Sequence, residues 1–316
     1  VTSVVPPKGA RDGQLIAGQS LPVRLANFVK LPHTVFAMPF ALVGVLFASA
    51  WVPVTGRVIG WVLLAFTAAR FAAMGFNRIV DRDVDALNPR TAMRELPAGT
   101  LTVGQASTAV VVTSVLFVVA AWQLNPLCLA LSPVALLWVL GYSYTKRFTR
   151  WSHLWLGLGL SIAPVGGYLA VTGAWSDPWW LLCALALVVV GWSGGFDILY
   201  ALQDAEFDRR HGLFSVPATL GVRRAITVSR ALHVVSVGCL ALVVWAQPMG
   251  PLPPAAVGVL WLGVAGMAGM LVYEHRLVKA DDLTRLDAAF FTMNGLISIG
   301  FLLVVLAARL LAGRGA

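Results

Sequence analysis

FNRIVDRDVDALNPRTAMRELPAG, residues 76–99, lies between two long apolar runs, and its reading decides how the chain is organised. Asp81, Asp83 and Asp85 fall within five positions, interleaved with Arg78 and Arg82 and followed by Arg90 and Arg94. Charge at the margin of a hydrocarbon layer is costly, so a cluster placed there reads as functional. Outward from it the chain is apolar. Of its 316 residues 59% are hydrophobic and 12% charged, where a soluble domain carries about 25% charged residues. Mean hydropathy is +0.81.

Apolar runs of membrane-spanning length recur throughout, near 33–52, 57–76, 101–122, 126–144, 152–172, 178–199, 224–246, 254–273 and 288–310. Such lengths match the core of a bilayer. Strands of an outer-membrane barrel would alternate instead. The expected class is all-α and polytopic, with about nine helices. Asn125-Pro126, Asp177-Pro178 and the Pro248–Pro254 cluster punctuate the runs. Residues 1–23 read as a mobile arm and 24–311 as a single transmembrane domain. No cleavable signal peptide is visible, so the first span is expected to direct insertion.

The net charge of +9 reflects topology and not a nucleic-acid partner. Eighteen of the 23 basic residues lie on the amino-terminal arm or in the loops after even-numbered spans. That places the amino terminus and those loops in the cytoplasm, and the protein in the inner membrane. Thirteen of the 14 acids share this side, Asp177 being the exception, and the positive-inside rule does not require them there. Cys128, Cys183 and Cys239 each sit in an apolar run and read as small buried hydrophobes. The five histidines are dispersed without metal-ligand spacing and read as structural.

Asn77, Asp81 and Asp85 are spaced by four. A step of four turns a helix about 40° past one revolution, so the three share a face if the second span continues. Asp83 points elsewhere. Two carboxylates and an amide oxygen suit a hard cation such as Mg²⁺. Asp197, Asp204 and Asp208 form a second stripe at the end of the sixth span. Asp81 and Asp204 are 123 residues apart (204 − 81), as are Asp85 and Asp208 (208 − 85). The matched offset suggests two four-helix units, near 33–144 and 152–273, followed by a ninth helix, with the stripes facing each other across a cavity. Tyr142 and Lys146, one helical turn apart, close the fourth span on the same side with Arg147. Beside two metal sites they would complete a pocket for a polyanion such as diphosphate. Taken alone, Lys146-Arg147 would be snorkelling anchors and Asp81-Arg82 plain surface charge; the two stripes at one offset favour a site.

These motifs resemble those of the UbiA superfamily of intramembrane aromatic prenyltransferases. Asn77-Arg78-x-x-Asp81-x-x-x-Asp85 is similar to its first motif, Asp197-x-x-Tyr200-Ala-x-x-Asp204-x-x-x-Asp208 to its second, and Tyr142-x-x-x-Lys146 and Arg94–Gly99 to further elements. Arg78 departs from the pattern, standing where many members carry Asp. The resemblance implies nine helices around a central cavity and transfer of a polyprenyl group from polyprenyl diphosphate to a small aromatic acceptor. It implies two Mg²⁺ ions, one on Asn77, Asp81 and Asp85, the other on Asp204 and Asp208 with Asp197 supporting. Lys146, Arg82 and Arg147 would neutralise the leaving diphosphate, with Tyr142 and Tyr200 beside it. Arg90 and Arg94 would lie in a lid over Val84–Gly99 that binds an acceptor carboxylate. The acceptor would be 4-hydroxybenzoate or a dihydroxynaphthoate, in ubiquinone or menaquinone synthesis. Sister enzymes with a haem or chlorophyll acceptor share the metal motifs, and a transporter is the rival from another class.

Overall fold

Among the residues the computed structural model describes, 20–278 and 293–313, every regular element is a helix. The order is α1 (Leu21–Phe28), α2 (Leu31–Ala48), α3 (Gly56–Val80), α4 (Arg82–Leu87), α5 (Val103–Leu124), α6 (Pro126–Thr145), α7 (Ser152–Thr172), α8 (Trp180–Tyr200), α9 (Ala205–Arg210), α10 (Val216–Leu220), α11 (Val222–Trp245), α12 (Pro254–Leu277) and α13 (Asn294–Gly313). Among the described residues eight helices are long and apolar enough to cross a bilayer, and α2 contributes a shorter apolar stretch, Ala37–Ala48. Together they fall on the nine expected runs. Most of the expected arm over 1–23, the start of the ninth run, Lys279 and Arg285 lie outside the described residues.

The breaks have local causes. The Asn125 side chain accepts from the Cys128 amide at 2.9 Å, with Pro126 opening α6. Thr102 and Gln105 form a reciprocal capping box at the start of α5. Gly173, with φ of 64°, closes α7 in the left-handed region that glycine adopts without penalty.

The helices close into a ring in which α13 packs on both α12 and α2, and α8 lies between α7 and α11. Small residues permit the closest crossings, as bilayer packing favours. A Cβ at Gly44 would meet the Pro164 carbonyl, and one at Gly167 the Ala41 carbonyl, so α2 and α7 touch backbone to backbone. The main core joins Phe40, Leu185, Trp192, Leu240, Ile297 and Phe301. At the end away from the acidic motifs, Arg309 donates to the Ser49 hydroxyl and carbonyl (3.2 and 3.1 Å), and Trp51 donates to the Pro248 carbonyl (3.0 Å). Trp51, Trp122, Trp175 and Trp179 are exposed, as tryptophans at a membrane–water interface are.

Candidate active site

The two acidic motifs have the same local form: a long helix, a break, then a six-residue helix. α3 ends at Val80, and Asp81 sits beyond it with φ −93° and ψ 2°. The Asp85 amide still bonds the Asp81 carbonyl at 2.7 Å, so α4 follows almost without loss of register. In the second motif, α8 ends at Tyr200 and a 3-10 turn, Ala201–Asp204, precedes α9. The tighter turn breaks the single helix that the spacing of Asp197, Asp204 and Asp208 had implied, yet all three carboxylates still act on Lys146.

Every motif carboxylate has a partner. Asn77 Nδ2 donates to Asp81 Oδ2 at 2.8 Å, and Arg147 Nη2 donates to Asp81 Oδ1 at 3.0 Å. Arg94 Nη1 reaches both oxygens of buried Asp85, at 2.8 and 2.9 Å. Arg90 grips Asp204 at two points, Nε to Oδ1 at 3.0 Å and Nη2 to Oδ2 at 2.6 Å, while Asn88 Nδ2 reaches the same Oδ1 at 3.2 Å. Lys146 Nζ lies 3.7 Å from Asp208 Oδ2. Asp197 Oδ2 is 2.6 Å from His153 Nδ1.

α6 delivers adjacent cations to opposite motifs: Lys146 to the second and Arg147 to the first. Arg147 is held by the carbonyls of Ser143 and Val80, at 2.7 and 3.1 Å. The Lys146 carbonyl accepts from the Phe214 amide at 2.7 Å, which ties α6 to the chain after α9. Burial depresses the Lys146 ammonium, but the carboxylates of Asp208, Asp204, Asp197 and Asp81 outweigh it and hold its pKa above the ordinary lysine value. Burial raises the Asp81 carboxyl, against the pull of Arg147 and with a further push from Asp85. Tyr142 lies in electrostatic reach of Asp197, Asp81 and Asp208. The Arg90 guanidinium covers the Tyr200 ring, 5.7 Å from its centroid.

The cluster thus brings together Asn77, Asp81, Asp85, Arg90, Arg94, Tyr142, Lys146, Arg147, Asp197, Tyr200, Asp204 and Asp208. Arg82 stands outside it: exposed, it pairs with Asp83 at 3.3 Å and donates to the Ile79 carbonyl at 3.1 Å. Arg78 turns away from the carboxylates, 3.6 Å from Glu95 and 6.0 Å from the Phe28 ring centroid. The cation in place of the usual Asp therefore anchors the loop after the first motif. Asn88 and His153 are the residues that spacing did not reveal. Asn88 belongs to no helical stripe, and His153 has no second ligand nearby in sequence. His153 opens α7 at the charged end of the bundle, the one hint available.

Whether these residues suit a metal is decided by their oxygens. Asp208 is almost fully buried, and its Oδ2 accepts no hydrogen bond. An anionic oxygen so placed favours a cation, and the donor set is the hard one that Mg²⁺ prefers. Among the described residues no three His, Cys, Asp or Glu side chains converge to hold an ion unaided.

The profile of the UbiA prenyltransferase family matches residues 37–296. The chain belongs to that family. It is a multi-pass membrane prenyltransferase. A relative named 4-hydroxybenzoate octaprenyltransferase from Acidovorax ebreus is 32% identical over 248 residues, covering 75% of this chain and 79% of the relative. The protein of the same name from Shewanella woodyi is 26% identical over 275 residues, covering 86% and 91%. The apo structure of a UbiA homologue from Aeropyrum pernix superposes with a TM-score of 0.76 at 31% identity, covering 88% of this chain and 97% of that one. A UbiA homologue from Archaeoglobus fulgidus bound to DMAPP and Mg²⁺ shares the fold, with a TM-score of 0.72 at 19% identity, covering 90% and 99%.

Proposed function

We propose that this UbiA-family enzyme transfers a polyprenyl group from polyprenyl diphosphate to an aromatic acceptor, 4-hydroxybenzoate or a dihydroxynaphthoate, in an Mg²⁺-dependent reaction. The observation that carries this reading is the pair Lys146 and Arg147, neighbours that reach opposite acidic motifs at 3.7 and 3.0 Å. A polyanion lying between the motifs would meet both cations. Asn77, Asp81 and Asp85 would hold one Mg²⁺, and Asp204 and Asp208 the other. Bound Mg²⁺ supplies positive charge that helps diphosphate leave. Lys146 stays charged at neutral pH and faces the same developing anion. Arg90 and Arg94, which neutralise Asp204 and Asp85 here, become available to diphosphate oxygens once those carboxylates take metal.

The donor ionises to an allylic cation, which an electron-rich ring carbon attacks, and the helix ring excludes the water that would quench it. The names of the relatives support 4-hydroxybenzoate as acceptor. The distribution of Lys and Arg supports a cytoplasmic position for the motif end. A transporter would keep its ionisable groups near the midplane, whereas these cluster at helix ends.

The test is mass spectrometry of products from membranes given Mg²⁺, a polyprenyl diphosphate and both acceptors in competition. A prenylated aromatic acid is expected. Its absence in every condition, with a control enzyme active alongside, would overturn the reading.

A further inference from the structure

α11 starts beside the second motif, where Ala225 and Ile226 pack with Leu199 and Leu202. Its other side is exposed. Arg223, Thr227, Arg230 and Val234 follow at steps of four, three and four, which keeps them on one face of the helix. Arg230 is the unusual member. It lies eight residues inside α11, about 12 Å from its start at 1.5 Å per residue. A guanidinium at that depth in a bilayer needs an anion within reach. Other arginines in the long helices find partners within the protein. Arg57 donates to Gln123 at 2.8 Å, Arg309 donates to Ser49 at 3.2 Å, and Arg78 lies 3.6 Å from Glu95. Among the described residues Arg230 meets no carboxylate, carbonyl or other acceptor. Its charge acts on His275 of α12. His275 Nε2 is 3.0 Å from His233 Nδ1, and His233 Nε2 donates to the Trp192 carbonyl at 3.2 Å. Through these contacts α12 is tied to α11 and α8 next to Arg230.

The surface around Arg230 has the profile of a phospholipid. Arg223 lies about 10 Å nearer the motif end on the same face, at 1.5 Å per residue. One turn deeper the face becomes apolar, with Val234 71% exposed. Val272 and Tyr273 stand exposed on α12, in the turn that carries His275. We propose that Arg230 binds the phosphate of an anionic membrane phospholipid on the side of α11 that faces α12, with Arg223 toward the headgroup and Val234 against an acyl chain. The site is on the outside of the helix bundle and does not rest on the prenyl-transfer reading. The lipid phosphate supplies the anion that the protein does not, and it offsets the Arg230 charge beside the His275–His233 contact. A lipid of net negative charge is preferred, because Arg223 and Arg230 repel the ammonium of a zwitterionic headgroup. Bound lipid therefore stabilises the joined α8, α11 and α12.

The test is native mass spectrometry of the full-length protein after exposure to an equal mixture of phosphatidylglycerol and phosphatidylcholine. The wild type should retain phosphatidylglycerol over phosphatidylcholine by about tenfold, the scale of one or two basic side chains at a membrane surface. Arg230→Gln should bring the two lipids close to parity, and Arg230→Lys, which keeps the charge, should retain most of the preference. Arg150→Gln removes an exposed charge at the same end of the bundle, away from α11, and should leave the preference intact. Soluble glycerol 3-phosphate should not displace the lipid. In nanodiscs, phosphatidylglycerol should raise the melting temperature of the wild type and not that of Arg230→Gln. A melting temperature in phosphatidylcholine close to the wild type's shows that this variant is folded. Four results would overturn the proposal: equal retention of both lipids by the wild type; an unchanged preference in Arg230→Gln; an equal loss in Arg150→Gln, which would reduce the effect to plain surface charge; or displacement by glycerol 3-phosphate, which would mark a site for soluble phosphate.

Discussion

Arg90, in the loop after the first motif, and Asp204, in the second, form a two-point ion pair with contacts of 3.0 and 2.6 Å across 114 residues of chain. Both side chains are largely buried. Removing one partner of a buried pair leaves an uncompensated charge and costs about 3–5 kcal/mol. In Arg90→Ala, Asp204 would be that charge. The variant is expected to melt below the wild type in metal-free detergent. Addition of Mg²⁺ and diphosphate should narrow the gap, because it restores positive charge at Asp204. Differential scanning fluorimetry with and without the additions measures both effects.

Asp81→Ala and Asp204→Ala each delete a carboxylate from a different motif. Each is expected to lower Mg²⁺-dependent transfer by at least about 100-fold, the scale of a lost electrostatic contact in a transition state. Membrane insertion should persist, since the spans are unaltered. Chelation by EDTA should silence the wild type and leave nothing further to lose in either variant. Product assays on protein of verified monodispersity decide this, and retained turnover in either variant would contradict the two-metal arrangement.

Arg78→Asp would restore the residue common at this position in the family's motif, but not a ligand. The side chain faces Glu95 and Phe28, so the new carboxylate would meet a like charge. The expected result is a lower melting temperature with no gain in Mg²⁺ affinity. Hydrogen exchange should rise in the segment after Asn88, whose anchoring to α3 is lost.

Gly167→Leu places a large side chain where the Ala41 carbonyl lies. The α2–α7 crossing must then open, at a cost of about 1–3 kcal/mol or more for overpacking. The variant should show a reduced yield of monodisperse protein, whereas Gly166→Leu, which meets open space, should not. Size-exclusion chromatography of the two compares them directly.

Several features were legible in the residues themselves because they are local. A bilayer demands long apolar helices, so the spans and the prolines that end them could be located directly. The spacing of Asn77, Asp81 and Asp85, and the repeat of Asp81 and Asp85 at Asp204 and Asp208, marked the site. Lys146 and Arg147 stood out as cations ending a span.

The tertiary structure decided what spacing cannot carry. It put a 3-10 turn, Ala201–Asp204, between Asp197 and Asp208 where the spacing had implied one unbroken helix. It assigned Arg94 to Asp85 and Arg90 to Asp204, sent Arg78 to Glu95, and left Arg82 exposed. It joined His153 to Asp197 across 44 residues. Each of these depends on which helix ends the packing brings together. Pairing of buried charges is set by that packing and by the need to satisfy every ion removed from water, and neither quantity is written in any one stretch of the chain.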